Sequence, residues 1–167
     1  MGFLAGKRAF IVGVATDRSI AWGIAQAMQR EGAELAFSYV NDKMKERVEP
    51  LAHSIGSKLT MPLDVTVDGQ VDSAFDLLKR EWGQLDIVIH AVAFAPREAI
   101  AGSFTANTTR EAFRIAHDVL RIRAMLARTR EFLDDGSQNI ASISNTTKRA
   151  ARSGLRYSIG QLSTSSS

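Results

Sequence analysis

Along the first two thirds of the chain, apolar residues recur with two alternating spacings. Nearly continuous runs rich in Ile, Val, Phe and Leu occupy residues 8–14, 34–39, 59–63 and 85–90. Between them, apolar residues return every three or four positions: Ile20, Ile24, Ala27 and Met28; then Met44, Val48 and Leu51; then Val71, Phe75, Leu78 and Trp82. Continuous apolar runs predict strands buried on both faces, and the longer spacing predicts helices with one face turned inward. The pattern therefore predicts strands over the four runs. Helices are predicted from Ser19 to Gly32, over Asp42–Ser54 and over Asp68–Trp82. Ser19 stands where a helix is capped, and Gly32 and Gly83 stand where a helix is closed.

Strands alternating with helices imply βαβ units with right-handed crossovers, hence an α/β fold built on a doubly wound parallel sheet. After His117 the pattern weakens. Residues 119–133 suit a helix whose apolar face is interrupted by arginines, and residues 140–144 suit a fifth strand. The closing Leu-Ser-Thr-Ser-Ser-Ser run is of low complexity and is expected to be disordered.

Composition narrows the class. A chain of 167 residues holds material for about one domain and one core. No apolar run approaches the roughly 18 residues of a membrane span, and the start has no long apolar stretch of the secretory type. Gly2 follows Met1, but Gly6 stands where myristoylation needs Ser or Thr. With no cysteine there is no disulfide framework and no thiolate chemistry, so a cytoplasmic location is expected. The net charge of +3 divides unevenly: residues 118–167 carry eight basic and four acidic side chains, and the remainder thirteen and fourteen. Arg121, Arg123, Arg128 and Arg130 lie among Leu, Ile and Met without aromatic stacking partners, and are read as solvated surface; no nucleic-acid or membrane partner is expected. His53 and His117 have no acidic or histidine constellation around them, so no metal site is expected.

Candidate chemistry concentrates at residues 11–25, where a strand enters a glycine turn at Gly13 and a helix begins at Ser19. A helix start offers unpaired N–H groups and a positive dipole end, which suit a pyrophosphate. Gly13 would let the backbone approach a ligand, and Gly23 would let the helix pack closely on the sheet. As a bare pattern, a purely structural turn explains these residues equally well.

Gly13, then Ser19-Ile20-Ala21-x-Gly23, resembles the cofactor loop of bacterial NADH-dependent enoyl-acyl-carrier-protein reductases, members of the short-chain dehydrogenase/reductase superfamily. Similar blocks follow in order: Arg30-Glu31-Gly32-Ala33-Glu34-Leu35-Ala36-Phe37, Leu63-Asp64-Val65, His90-Ala91-Val92-Ala93-Phe94-Ala95-Pro96, Thr109-Arg110-Glu111-Ala112-Phe113 and Ile115-Ala116-His117-Asp118. The resemblance implies a Rossmann-like sheet, NADH as cofactor, and reduction of the trans-2 double bond of an enoyl thioester carried on acyl carrier protein in fatty-acid elongation. It further implies that Gly13, Ser19 and Ile20 meet the pyrophosphate, Val40 the adenosine, Asp64 and Val65 the adenine, Val92 the nicotinamide-side ribose and Ala95 the substrate. Lys43, Lys45 and Arg47 leave NADPH open. His90, ending a buried strand, is read as structural. Family members are typically homotetrameric, and the assembly of this chain is in doubt.

Residues 119–167 depart from the family. The expected division is a dinucleotide-binding part over 1–118, a degenerate continuation over 119–160 and a disordered tail over 161–167, with the sheet truncated at its C-terminal end. The candidate catalytic residue is Tyr157, which would donate to the developing enolate oxygen. The lysine that should accompany it is missing. Thr164 stands seven positions on, where the family has lysine, and Gln161 replaces the lysine of the superfamily's Ser…Tyr-x-x-x-Lys pattern, for which Ser144 is suitably spaced. Gln is neutral and can neither lower the tyrosine pKa by charge nor supply the cation. An inactive nucleotide-binding fragment is thus the second reading, and another oxidoreductase of the superfamily the third. Read one nucleotide out of frame, Leu120-Arg121-Ile122-Arg123 permits the family's Ser-x-Tyr, and residues 151–156 permit a Pro-Asp-Tyr. The tail is therefore expected to be a frameshifted or misread family sequence. Sequencing the source DNA should recover the family motif in the shifted frame; an in-frame gene encoding this tail would contradict it.

Overall fold

The computed structural model describes residues 2–119, Met125, Arg128, Thr129 and the strand Ile140–Ser142. Five strands, β1 (Arg8–Val12), β2 (Glu34–Tyr39), β3 (Leu59–Pro62), β4 (Ile87–His90) and β5 (Ile140–Ser142), form one sheet in the order β3-β2-β1-β4-β5. Every pairing is parallel, with Phe10 opposite Ala36 on one side and Val88 on the other. Order reverses beside β1, as in a doubly wound Rossmann-like fold. Helices α1 (Ile20–Arg30), α2 (Asp42–Ser54) and α3 (Asp68–Trp82) join the first four strands. These elements, and the short strand at 140, were legible in the sequence to within a few residues.

The two-residue period of the strands divides the core into two layers. Ala9, Ile11, Leu35, Phe37 and Ile89 face α1 and α2, where Trp22, Ala25, Met28, Val48 and Ala52 cover them. Phe10, Val12, Ala36, Met61 and Val88 face α3, where Val71, Phe75, Leu78 and Trp82 cover them. Phe10 meets Phe75 edge to face, with centroids 6.0 Å apart. Both layers are buried and apolar, which explains why the strands read as unbroken apolar runs.

Beyond β4 come α4 (Arg97–Ile100), α5 (Phe104–Asn107) and α6 (Arg110–Val119). None was anticipated from the apolar pattern. The first two are single turns, and α6 carries an apolar stripe of Ala112, Ile115, Ala116 and Val119 that is only partly buried, with Val119 against the α3-side core; that spacing was readable and was passed over. Instead α6 carries surface ion pairs from Arg114 to Glu111 (2.7 Å) and Asp118 (2.8 Å). Within the expected helix 119–133, Met125, Arg128 and Thr129 are helical. The solvated reading fails for Arg128, whose side chain is 27% exposed and lies 2.8 Å from Asp72 and 3.3 Å from Asp76 of α3. Met125 reaches the α3-side core.

A polar network ties the opposite, N-terminal ends of the strands. Asp86 accepts from Lys7 Nζ (2.8 Å), the Arg8 backbone N–H (2.9 Å) and Gln84 Nε2 (3.1 Å). Glu34 accepts from the Trp82 indole N–H (2.9 Å) and from Arg8 Nε (3.3 Å). Burial pushes the Asp86 carboxyl upward, but the Lys7, Arg8 and Gln84 donors together outweigh it and hold it below its ordinary 3.8.

Two outcomes follow. Phe75→Ala removes a fully buried ring and should lower unfolding stability by about 3–5 kcal/mol in a denaturant titration. Because Asp86 titrates below its unfolded value, its contribution is present above about pH 3.8 and fades below it. Asp86→Asn should therefore be less stable than the parent at pH 7, with the gap closing on acidification below that value in parallel urea titrations.

Candidate functional site

The C-terminal ends of parallel strands share one edge, and beside β1 the crossovers diverge to opposite faces, opening a crevice. Register fixes what meets there. The Ala91 N–H donates to the Val12 carbonyl (2.8 Å), and the Leu63 N–H donates to the Tyr39 carbonyl (2.8 Å). Gly13 is thus level with Ala91, and Val40 with Leu63, just before Asp64 and Val65. All eight cofactor and substrate candidates outside the tail, namely Gly13, Ser19, Ile20, Val40, Asp64, Val65, Val92 and Ala95, lie along this edge. Tyr157, Ser144 and Gln161 lie outside the described residues.

Gly13 has φ +110°, and a Cβ there would come within 2.3 Å of the Ala91 carbonyl oxygen. The strict requirement for glycine thus arises first from the chain crossing β4, a reason the sequence did not supply. Gly23 is different. It is exposed, and a Cβ there would meet nothing within 4 Å, so the expected close packing of this residue on the sheet is not found.

Ser19 occupies the N-cap position of α1 with extended dihedrals, but its side chain does not cap the helix. The hydroxyl donates back to the Thr16 carbonyl (2.6 Å), and Thr16 Oγ1 accepts from the Arg18 N–H (3.2 Å). The Trp22 and Gly23 N–H groups bond to the Ser19 carbonyl. The Ile20 and Ala21 N–H groups have no acceptor within the helix ladder and no acidic side chain in the first turn competes for them. Ala21 is fully buried, so at Ile20, 37% exposed, this positive helix end is open to an anion, with Arg18 exposed alongside. The Thr16-x-x-Ser19 turn that produces it was a readable signal that capping logic passed over.

Asp64 forms an Asx turn, its Oδ1 accepting from the Thr66 N–H (2.9 Å) and hydroxyl (2.7 Å). Its own N–H donates to Gln70 Oε1 (2.7 Å), so a side chain from α3 orients this corner. Nothing in the local spacing marked Gln70. Val65 is 4% exposed and belongs to the α3-side core, so a ligand at this corner would meet mainly its backbone. Val40 and Ile20 are 50% and 37% exposed, and Val92 and Ala95 are half-buried. Across β2, Lys45 lies 5.9 Å from the centroid of the Tyr39 ring and 3.9 Å from Glu49, so it is drawn toward its own helix and strand. Asn41 caps α2 by accepting from the Met44 N–H (3.0 Å).

His90 ends β4 enclosed, at 3% exposure, and among the described residues its Nε2 has no hydrogen-bond partner. Burial pushes its imidazole below the ordinary 6.5, outweighing a hydrogen bond to its own backbone, so it is neutral at pH 7. A structural role fits that burial, although the expected full set of hydrogen bonds is absent. Among the described residues no group of three or more His, Cys, Asp or Glu side chains is arranged to hold a metal ion, and no helix is long and apolar enough to cross a membrane.

This geometry has close counterparts. The enoyl-[acyl-carrier-protein] reductase [NADH] of Haemophilus influenzae is 49% identical over 119 residues, covering 71% of this chain and 45% of the relative. The enzyme of the same name from Escherichia coli is 47% identical over 139 residues, covering 82% of this chain and 53% of the relative. The chain thus spans about half the length of these relatives. Among solved structures, the NADH enoyl-[acyl-carrier-protein] reductase of Aquifex aeolicus superposes with a TM-score of 0.75 at 42% identity, covering 84% of this chain and 56% of that one. The corresponding reductase of Anaplasma phagocytophilum, solved in complex with NAD, gives 0.78 at 37% identity, covering 85% and 55%. The family described as enoyl-(acyl carrier protein) reductase matches residues 13–158, from the Gly13 turn past Tyr157. On that match, the chain belongs to the enoyl-(acyl carrier protein) reductase family.

Proposed function

We propose that this chain is the dinucleotide-binding part of an NADH-dependent enoyl-acyl-carrier-protein reductase. The observation that carries the reading is the open α1 N-terminus beside the left-handed Gly13, at the switch point of the sheet. It is supported by relatives that bear the NADH designation and by a neighbour solved with NAD. In this reading the Ile20 N–H, the Ser19 turn and the Gly13 backbone hold the pyrophosphate, aided by the positive end of α1. The Asp64 carboxylate accepts from the adenine amine while the Val65 backbone and Val40 border the adenosine. Val92 lines the nicotinamide-side ribose, and Ala95 borders the acyl thioester.

The nicotinamide, when bound, supplies a hydride to the β-carbon of the trans-2-enoyl thioester. What the chain must then provide is a donor for the enolate oxygen, and Tyr157 is the candidate. Val40 and Asn41 place no cation at the end of β2, and Lys45 is held by Glu49 and Tyr39, which favours NADH over NADPH. The substrate partner is an enoyl group on acyl carrier protein.

A second reading, binding without turnover, is favoured by one specific residue: Gln161 stands where the superfamily has the lysine that supports the tyrosine. The two readings separate in one experiment, NADH oxidation followed at 340 nm with a crotonyl thioester beside NADH binding by fluorescence. Binding is expected, with turnover below that of a family member carrying the lysine by a factor of about a hundred or more, since general acid catalysis contributes about 10²–10⁴-fold. Any turnover that is present should disappear in Tyr157→Phe. Absence of NADH binding would overturn the proposal.

A further inference from the structure

Asp72 and Asp76 stand one turn apart on α3, where two like charges repel. The Arg128 guanidinium lies between them: Nη2 donates to Asp76 Oδ1 (3.3 Å), and Nε is 2.8 Å from Asp72 Oδ1, a charge contact outside hydrogen-bond alignment. Three residues earlier, Met125 is buried among Val71, Phe75 and Leu78, and one residue later the Thr129 hydroxyl donates to the Met125 carbonyl (2.6 Å). One helix, α3, thus receives both an apolar and an ionic anchor from the same helical turn of the chain. An isolated exposed ion pair contributes little, but a half-buried planar guanidinium shared between two carboxylates fixes orientation as well as distance.

In sequence this anchor lies on the crossover from β4 to β5. Among the described residues β5 pairs with β4, and Ser142 is level with His90, immediately below Ala91 and Val92. We propose that Arg128, clasped by Asp72 and Asp76, is a positioning residue: it sets β5 against β4 and so shapes the nicotinamide half of the crevice. The adenine half is built by β1, β2 and β3 with Gln70 of α3 on the Asp64 N–H, a contact made without Arg128, so the clasp bears on it far less. The second part of this inference rests on the cofactor reading proposed above.

The experiment uses the full chain and two probes, NADH and ADP-ribose, which lacks the nicotinamide. Arg128→Leu should weaken NADH roughly tenfold and leave ADP-ribose unchanged, while amide exchange quickens at residues 140–142 and stays constant in β1 and β2. Arg128→Lys, keeping the charge but not the fork, should fall between. If Arg128→Leu does not fold, Asp72→Asn/Asp76→Asn reaches the same contact from two exposed side chains and should give the same pattern. Equal weakening of both probes, or faster exchange spread through β1 and β2, would overturn the positioning role. If the parent chain binds neither probe, the cofactor reading has failed, and the exchange pattern alone decides whether the clasp sets β5.

Discussion

The contact between Gly13 and the Ala91 carbonyl is the constraint on which the site depends. Where β1 ends, the chain must turn toward α1 while passing over the end of β4. With φ +110° and 2.3 Å available to a Cβ, that passage admits only hydrogen at the α-carbon. The turn that results brings Thr16 within reach of Ser19, which closes the loop with its hydroxyl and leaves Ile20 exposed at the start of α1. The proposed anion site would thus follow from how the chain leaves β1 beside the end of β4, with no charged side chain needed to create it.

The opposite edge of the sheet is built on different physics. There Lys7, Arg8, Glu34, Trp82, Gln84 and Asp86 satisfy one another through hydrogen bonds that tie β1, β2, α3 and the approach to β4. The N-terminal edge is therefore closed by mutual polar pairing, while the C-terminal edge keeps donors available for a ligand. The two buried apolar layers between them hold the edges in register.

The fold was legible because a sheet buried on both faces leaves a simple trace: unbroken apolar runs separated by three-to-four spacing. Bounds of α2 and α3 could be read directly from residues 42, 54, 68 and 82. Of the segment after β4, α4 and α5 are single turns that leave no period to read, while the stripe of Ala112, Ile115, Ala116 and Val119 in α6 was legible and was overlooked because it is short and only partly buried. The placement of Arg128 also escaped reading. Its partners, Asp72 and Asp76, are more than fifty positions away, and sequence spacing on its own helix carries no trace of them. Within the site, glycine at 13 was singled out for the right position and an incomplete reason. At Gly23 the family motif suggested packing that the open space around it does not support. Gln70, which orients Asp64, sits on a helix whose pattern describes only its buried face.

The most direct test of the account is to measure dinucleotide affinity and unfolding stability together in Gly13→Ala, with Gly23→Ala as control. If the crossing at Ala91 creates the anion site, Gly13→Ala should lose both affinity and stability, and Gly23→Ala should keep both. Retention of NADH affinity and stability in Gly13→Ala would contradict it.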